Sequence, residues 1–328
     1  MPLLYFCFLI QPMNRLFFME QVFKNKSFKG FLYASIAALM VSNVYIFSKA
    51  ALHEVPVLVF GFYWYLMAFS YNILFLFITG TYRQFLSYSR QIYKALVSIA
   101  ILELLAAITF FVSIKTIENP AIVSFLVNTT PVFVTLMSVP LLGEKFNTRE
   151  IIGITIALVG AFILSYSGKF SFSQLLIKGA NLALLSCIIS AISIIIAKKN
   201  IKSIHPYVLS ANRVIFIFFF FAVALMFNRE SYGVSWKSYM NMSIGSFLGP
   251  FLGALFQYNS YKYIEVSKAS LVQNTNGLFV IFGAFLYFGI FPAAYQIMGG
   301  IITIVGVSLM IYGKLQNYVR KKVKKGIF

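Results

Sequence analysis

The sequence predicts an all-α membrane protein of ten transmembrane helices, built as two inverted five-helix repeats with both termini cytoplasmic. Three observations carry this. The chain holds ten apolar runs of spanning length, its basic residues crowd to one side of them, and its second half repeats its first.

Composition sets the solvent. Of 328 residues, 60% are hydrophobic and 11% are charged, against about 25% charged in a soluble domain. Too few charges are present to cover a water-facing surface, so most of the surface faces lipid. The chain has no Asp; eight Glu against 27 Lys and Arg give a net charge of +19. In a soluble protein that excess suggests nucleic acid. Here the basic residues fall in short clusters between apolar runs, which is the membrane pattern, and no nucleic-acid partner is expected.

A spanning helix needs about 20 predominantly apolar residues. The runs lie near 30–49, 56–79, 95–114, 120–142, 151–168, 178–197, 206–227, 239–260, 268–290 and 295–313. The eighth, rich in Gly, Ser and Asn, is the weakest. An even number of spans puts both termini on one side. Twenty Lys and Arg fall on that side, among them Lys145, Lys262, Lys268 and the tail Lys321–Lys325, and six on the other. Cytoplasmic loops hold such an excess, so both termini are expected inside. The first ten residues are apolar but lack a basic leading region, which makes a poor signal peptide. Met13 and Met19 are alternative starts.

The stretches SFLVNTTPVF (Ser124–Phe133) and SLVQNTNGLF (Ser270–Phe279) lie 146 residues apart. At that offset Ser124 meets Ser270, Asn128 meets Asn274, Thr129 meets Thr275, Gly143 meets Gly289, Gly153 meets Gly299 and Gly160 meets Gly306. Upstream the offset is 147, where SIKTIE (113–118) meets SYKYIE (260–265). At the front it is 149, where Lys29-Gly30 meets Lys178-Gly179 and Lys49 meets Lys198. The expected organisation is an N-terminal segment 1–28, repeats at 29–168 and 169–313, and a basic tail 314–328. Five helices per half is an odd number, so the halves insert with opposite orientation. Inverted repeats are a transporter architecture with the substrate site near the midplane.

The run ENPAIVSFLVNTTPVFVTLMSVPLLGEKFNTREIIGITIALVGAFIL resembles the signature half of EamA-type permeases of the drug/metabolite transporter superfamily. The features are a Pro within the fourth span, the turn Gly143-Glu144-Lys145 and a Gly-rich fifth span. The resemblance covers roughly residues 29–313 and implies ten helices, a central cavity and alternating access. The chain departs from it twice. Gly289-Ile290-Phe291-Pro292 stands where a second Gly-Glu turn is common, and the second span offers Tyr63-Trp64-Tyr65 where an Arg is common.

Glu103 is the one acid near the middle of a span, and an intramembrane charge reads as functional by default. Its helical neighbours Ala100, Ala106 and Ala107 mark a face that packs on protein. It is a candidate for a coupling proton or a substrate ammonium, with a structural partnership to Arg213 as the alternative. Arg213, beside Ser210 and Asn212, is a candidate for a substrate carboxylate or phosphate, or a side chain reaching to the interface. In the fourth span Ser124, Asn128, Pro131, Thr135 and Ser138 share a helix face; the ninth span answers with Ser270, Asn274 and Gly277, and adds Gln273 and Asn276. Pro131 and Gly277 are candidate helix breaks. Cavity candidates are therefore Asn128, Thr129, Asn274, Thr275, Gln273 and Asn276, with Asn43 and Tyr45, Trp64, and Gln257 and Asn259 as weaker ones. Interhelical hydrogen bonding is the bland reading of all of them.

Cys7 and Cys187 sit in apolar segments without metal or redox spacing, and read as buried thiols. His53 and His205 lie at loop edges, so no metal site, cofactor or catalytic constellation is expected. With no phosphate-cradling loop, transport would be gradient-driven. The expectation is a non-enzymatic secondary carrier of small polar metabolites in the plasma (bacterial inner) membrane, an exporter of amino acids or related compounds. Its partners would be that substrate, with proton coupling, and membrane lipid; a monomer suffices and a dimer is open. Uptake, sugar-phosphate transport and a scaffold or lipid-handling role are the alternatives.

Overall fold

The computed structural model describes residues 26–85, 87–117, 123, 126–127, 129–165, 179–227, 233–289 and 294–324. Regular structure among them is all helical. The elements are α1 (Lys26–Glu54), α2 (Val57–Ile78), a single turn at Tyr82–Phe85, α3 (Arg90–Thr116), α4 (Thr130–Leu142), α5 (Thr148–Ser165), α6 (Ala180–Asn200) and α7 (Pro206–Phe227). There follow α8 (Trp236–Ser246), a π-helical stretch (Phe247–Gly253) running into α9 (Ala254–Tyr263), α10 (Val266–Gln273), α11 (Asn276–Phe288) and α12 (Ala294–Lys324). Six stretches are long and apolar enough to cross a membrane: α1, α2, α3, α6, α7 and Val266–Phe288, which joins α10 to α11. α4 and the Ile297–Met310 part of α12 are shorter apolar helices. Large side chains such as Phe77, Ile78, Leu136 and Phe282 are exposed, as a lipid-facing surface requires.

The duplication is visible in the elements. α2 and α7 begin and end 149 residues apart, and α4 and α11 begin and end 146 apart. α4 closes on Gly143 and α11 on Gly289, both left-handed with φ of 64° and 69°; glycine takes that helix-ending conformation without a Cβ clash. Packing follows the same symmetry. α3 packs on α6, and their counterparts α9 and α1 pack on each other; α2 pairs with α7 and α5 with α12.

One pair of equivalent contacts is exact in register. Lys49 Nζ donates to the carbonyls of Ile114 and Ile117, each at 3.2 Å. Lys198 Nζ donates to the carbonyls of Tyr261 and, at 2.6 Å, Ile264. The lysines are related by the 149 offset and the carbonyls by the 147 offset. Each ammonium satisfies carbonyls that a helix C-terminus leaves free and meets the negative end of its dipole.

Glycines set the closest approaches. A Cβ on Gly306 would lie 2.2 Å from the Ala157 backbone nitrogen, and one on Gly160 would lie 2.4 Å from that of Thr303. The backbones of α5 and α12 therefore touch, as small-residue interfaces allow. In the eighth span Gly245 and Gly249 make room for Trp64 and Val44. That accounts for its low hydropathy: its glycines form a packing strip for α1 and α2. Pro250 lies inside the π-helical stretch. A proline there has no N–H to give the ladder, which favours the wider turn.

Buried apolar side chains form two cores. One surrounds the α6–α7 turn, with Ile201, Ile204 and Leu209; the other surrounds the α1–α2 turn, with Leu52, Val55 and Phe60.

Candidate functional site

A cavity of about 240 Å³ is walled by members of both cores and by most of the long helices. α3 contributes Glu103 and α7 contributes Arg213; Arg213 Nη1 lies 3.2 Å from Glu103 Oε2. Ser193 of α6 donates to Glu103 Oε1 at 2.8 Å. The two charged side chains are 15% and 17% exposed, and that exposure is toward the cavity they line. The alanine-bearing face of α3 turns inward: Ala100 is fully buried, and Ala106 and Ala107 share the cavity wall. Tyr258 of α9 lies within hydrogen-bonding reach of the guanidinium.

The polar neighbours of Arg213 separate in space. Ser210 donates to Asn72 Oδ1 at 3.1 Å, and Asn212 donates to the Leu96 carbonyl at 2.8 Å. Both are buried interhelical bonds, and only Arg213 of the three reaches the cavity.

The threonines of the twin Asn-Thr pairs lie at helix breaks. The ninth span stops at Gln273 and restarts at Asn276, while α4 starts at Thr130. Thr129 Oγ1 donates to the Leu126 carbonyl at 2.6 Å, and Thr275 Oγ1 to the Val272 carbonyl at 2.8 Å. The backbone N–H of each threonine reaches the same carbonyl, at 3.1 and 3.0 Å. Donors and acceptors are both 146 residues apart. A hydroxyl bonding three residues back competes with the helical ladder and tightens the turn. The break thus falls at the threonines, ahead of Pro131 and Gly277. Pro131 occupies the first turn of α4, where a missing N–H costs nothing, and Gly277 is buried in α11.

The asparagine half of the motif behaves differently. Asn274 lines the cavity together with Ser270, Gln273 and Asn276. Asn128 lies outside the described residues. Thr129, Thr275 and Asn43 are not on the cavity wall; Asn43 bonds the Leu39 carbonyl of its own helix. Trp64, Thr130 and Pro131 are on it.

Seven buried side-chain polar atoms among the described residues have no hydrogen-bond partner. Four of them, Arg213 Nε, Ser270 Oγ, Gln273 Nε2 and Asn276 Oδ1, belong to cavity-lining residues. Unpaired buried polar groups are costly and call for an explanation. All four atoms are themselves buried within residues that line the cavity, so rotation of these side chains is what would bring them to a polar solute.

The repeat offsets reveal an asymmetry inside the cavity. Arg213 corresponds to Trp64 by the 149 offset, and Glu103 to Pro250 by the 147 offset; all four line the cavity. One pair of equivalent positions carries the charges, and the other carries an indole and a helix-disturbing proline. Sequence reading passed over Ser186, Ser190 and Ser193 of α6. The first two line the wall, and their spacing of 4 and 3 was the available signal. Tyr65, also on the wall, carries no such signal, whereas Tyr45 and Gln257, weaker candidates by sequence, are both on it.

A family model for the EamA-like transporter family matches residues 28–166 and again residues 177–312. An uncharacterized transporter of Synechocystis sp. is 25% identical over 207 residues, covering 60% of this chain and 58% of the relative. This chain therefore spans under two thirds of that relative's length. A solved crystal structure superposes with a TM-score of 0.70 at 13% identity, covering 86% of this chain and 96% of its own.

Proposed function

Since the chain belongs to the EamA-like transporter family of the drug/metabolite transporter superfamily, we propose that it is a membrane transporter that exports small zwitterionic metabolites, amino acids or close relatives, by alternating access. The observation that carries this reading is the set of unpaired polar atoms on the cavity wall. Gln273 Nε2, Ser270 Oγ and Arg213 offer donors suited to a carboxylate. Glu103 and Asn276 Oδ1 offer acceptors suited to an ammonium. A zwitterion entering here exchanges the Glu103–Arg213 pair for two new pairs of opposite charge, so no net charge is buried. A cavity of about 240 Å³ falls below the roughly 300–1,000 Å³ common for drug-sized ligands, which favours a small solute.

The same site argues against sugar phosphates. Arg213 is the one basic residue among the described lining residues, and Glu103 neutralises it. A dianion would arrive with nothing to balance it. We place both termini in the cytoplasm and count ten spans from the twenty-to-six division of basic residues.

Metabolite profiling of spent medium tests the reading. Cells expressing the wild type are compared with cells carrying Glu103→Gln at matched membrane levels, and with empty cells. The expected result is accumulation of one class of amino-acid-like solute outside wild-type cells only. Three indistinguishable media would overturn export.

A further inference from the structure

A second charged cluster lies outside the cavity, where the turn after α4 meets the start of α10. Glu144 Oε1 accepts the Val266 backbone N–H at 2.8 Å, and its other oxygen accepts the Ser267 hydroxyl. Lys268 has no solvent exposure and is held between Glu150 at 3.2 Å and Glu265 at 3.4 Å. Glu150 is itself fixed by a reciprocal cap. The Asn147 N–H donates to Glu150 Oε2 at 3.0 Å, and the Glu150 N–H donates to Asn147 Oδ1 at 2.9 Å. These carboxylates sit at the N-termini of α5 and α10, where unpaired N–H groups and the helix dipole favour anions.

The position of the cluster gives it leverage over the cavity. α4 starts at the cavity wall with Thr130 and Pro131 and ends at the Glu144 turn. α10 starts at the cluster and reaches the wall with Ser270 and Gln273. α4 packs against α10. Glu144 therefore ties the cavity-distant end of a first-half helix to that of a second-half helix. Lys198 holds the turn between α9 and α10 through the Tyr261 and Ile264 carbonyls.

The duplication provides an internal control. The 146 offset pairs Glu144 with Ile290, Glu150 with Gln296 and Lys268 with Ile122, while the 147 offset pairs Glu265 with Glu118. Three of the four charges have no charged counterpart. The lysine clamp is duplicated, as Lys49 and Lys198; the carboxylate–lysine tie is not.

We propose that Glu144, Glu150, Glu265 and Lys268 form a one-sided latch that holds the cavity shut toward the face carrying the chain termini. The positions equivalent by sequence, Ile122, Ile290 and Gln296, carry no charge, and the carboxylate tie described at the other face, Glu54 to the hydroxyls of Ser235 and Ser238, is exposed to solvent where the latch is buried, so the two faces open at unequal cost and the empty carrier rests closed on the terminal side. Glu144 is a positioning residue here: it acts by fixing α10, and through it Ser270 and Gln273. The inference rests on the carrier reading, and its test separates the two.

The reporter is Ser190→Cys, on the cavity wall and half-buried, in a Cys7→Ser, Cys187→Ser background. A membrane-impermeant methanethiosulfonate is applied to oriented vesicles from each face in turn, and the initial labelling rate is measured. With the latch intact, labelling is expected to be slow from the terminal face and faster from the opposite one. Glu144→Gln and Lys268→Met are each expected to speed labelling from the terminal face by roughly tenfold or more, the factor implied by losing a hydrogen bond to a charged group. The rate from the opposite face should hold or fall. Ser267→Ala removes one bond of the latch and no charge, and its smaller acceleration on the same face keeps the test standing where a charge variant does not fold. Equal acceleration from both faces, or none from the terminal face, overturns the latch. A reporter that labels from neither face in any variant overturns the carrier reading as well.

Discussion

Glu103 and Arg213 meet inside an apolar bundle, where a lone charge is expensive and a pair is tolerated. Removing one partner of a buried ion pair costs about 3–5 kcal/mol, whereas replacing both with apolar groups is often near neutral. With 15% and 17% of these side chains exposed, the lower end of that range applies. Arg213→Met alone should therefore lower the thermal midpoint of the detergent-purified protein, and adding Glu103→Gln should recover most of the loss. Recovery would mean the pair is not required for the fold and leave transport to account for its presence. Glu103 was legible in the sequence because an acid in an apolar run has few readings. Its partnership was legible only as an alternative, since 110 residues separate the two and nothing local links them. The polar group around Arg213 shows the opposite failure. Ser210 and Asn212 read as one polar cluster with Arg213 by adjacency, yet each is taken up by a buried hydrogen bond to a neighbouring helix, Ser210 to Asn72 and Asn212 to the Leu96 carbonyl.

At the scale of elements, the paired glycines of α5 and α12 and the paired threonines of the fourth and ninth spans do different work. The glycines let backbones touch. A Cβ at Gly306 would meet backbone atoms at 2.2 Å, whereas one at Gly283 would meet only the flexible Ile46 side chain, at 3.2 Å. Gly306→Ala is therefore expected to destabilise by about 1–3 kcal/mol or more, the range for overpacking, and Gly283→Ala by clearly less. Thermal unfolding of the two variants in one detergent checks the order. Close helix packing was readable from glycine spacing alone. The helix breaks were readable only approximately: Pro131 and Gly277 drew attention, but the hydroxyls of Thr129 and Thr275 define the turn. Proline and glycine are conspicuous in a sequence, while a threonine bonding its own backbone looks like any other threonine until the carbonyl it reaches is located.

For the whole molecule, the expected architecture is ten crossings with both ends inside. The six long apolar stretches, the repeated family match and the symmetric packing support a duplicated bundle. Handedness across the membrane rests on the basic residues. Lys268, included in that tally, turns out to be fully buried in an ion cluster; without it the terminal side still holds nineteen against six. A reporter fused after residue 328 should behave as cytoplasmic, fluorescent as a green fluorescent protein and inactive as alkaline phosphatase. A fusion between residues 169 and 178 should give the reverse. Two cytoplasmic readings would remove the inverted arrangement.

By itself the sequence determined the solvent, the helical class and the duplication, because each is written in composition, in run length or in register, all of which are one-dimensional. It also determined that the halves had diverged, at Trp64 against Arg213 and at Ile290 against Glu144. Only the tertiary structure decided what that divergence does. Trp64, Arg213, Glu103 and Pro250 come from four helices and meet at one cavity; Glu144 reaches across the repeat boundary to the N-terminus of α10. Those contacts depend on how helices from separate halves pack, and long-range packing brings together residues whose separation along the chain carries no trace of their proximity.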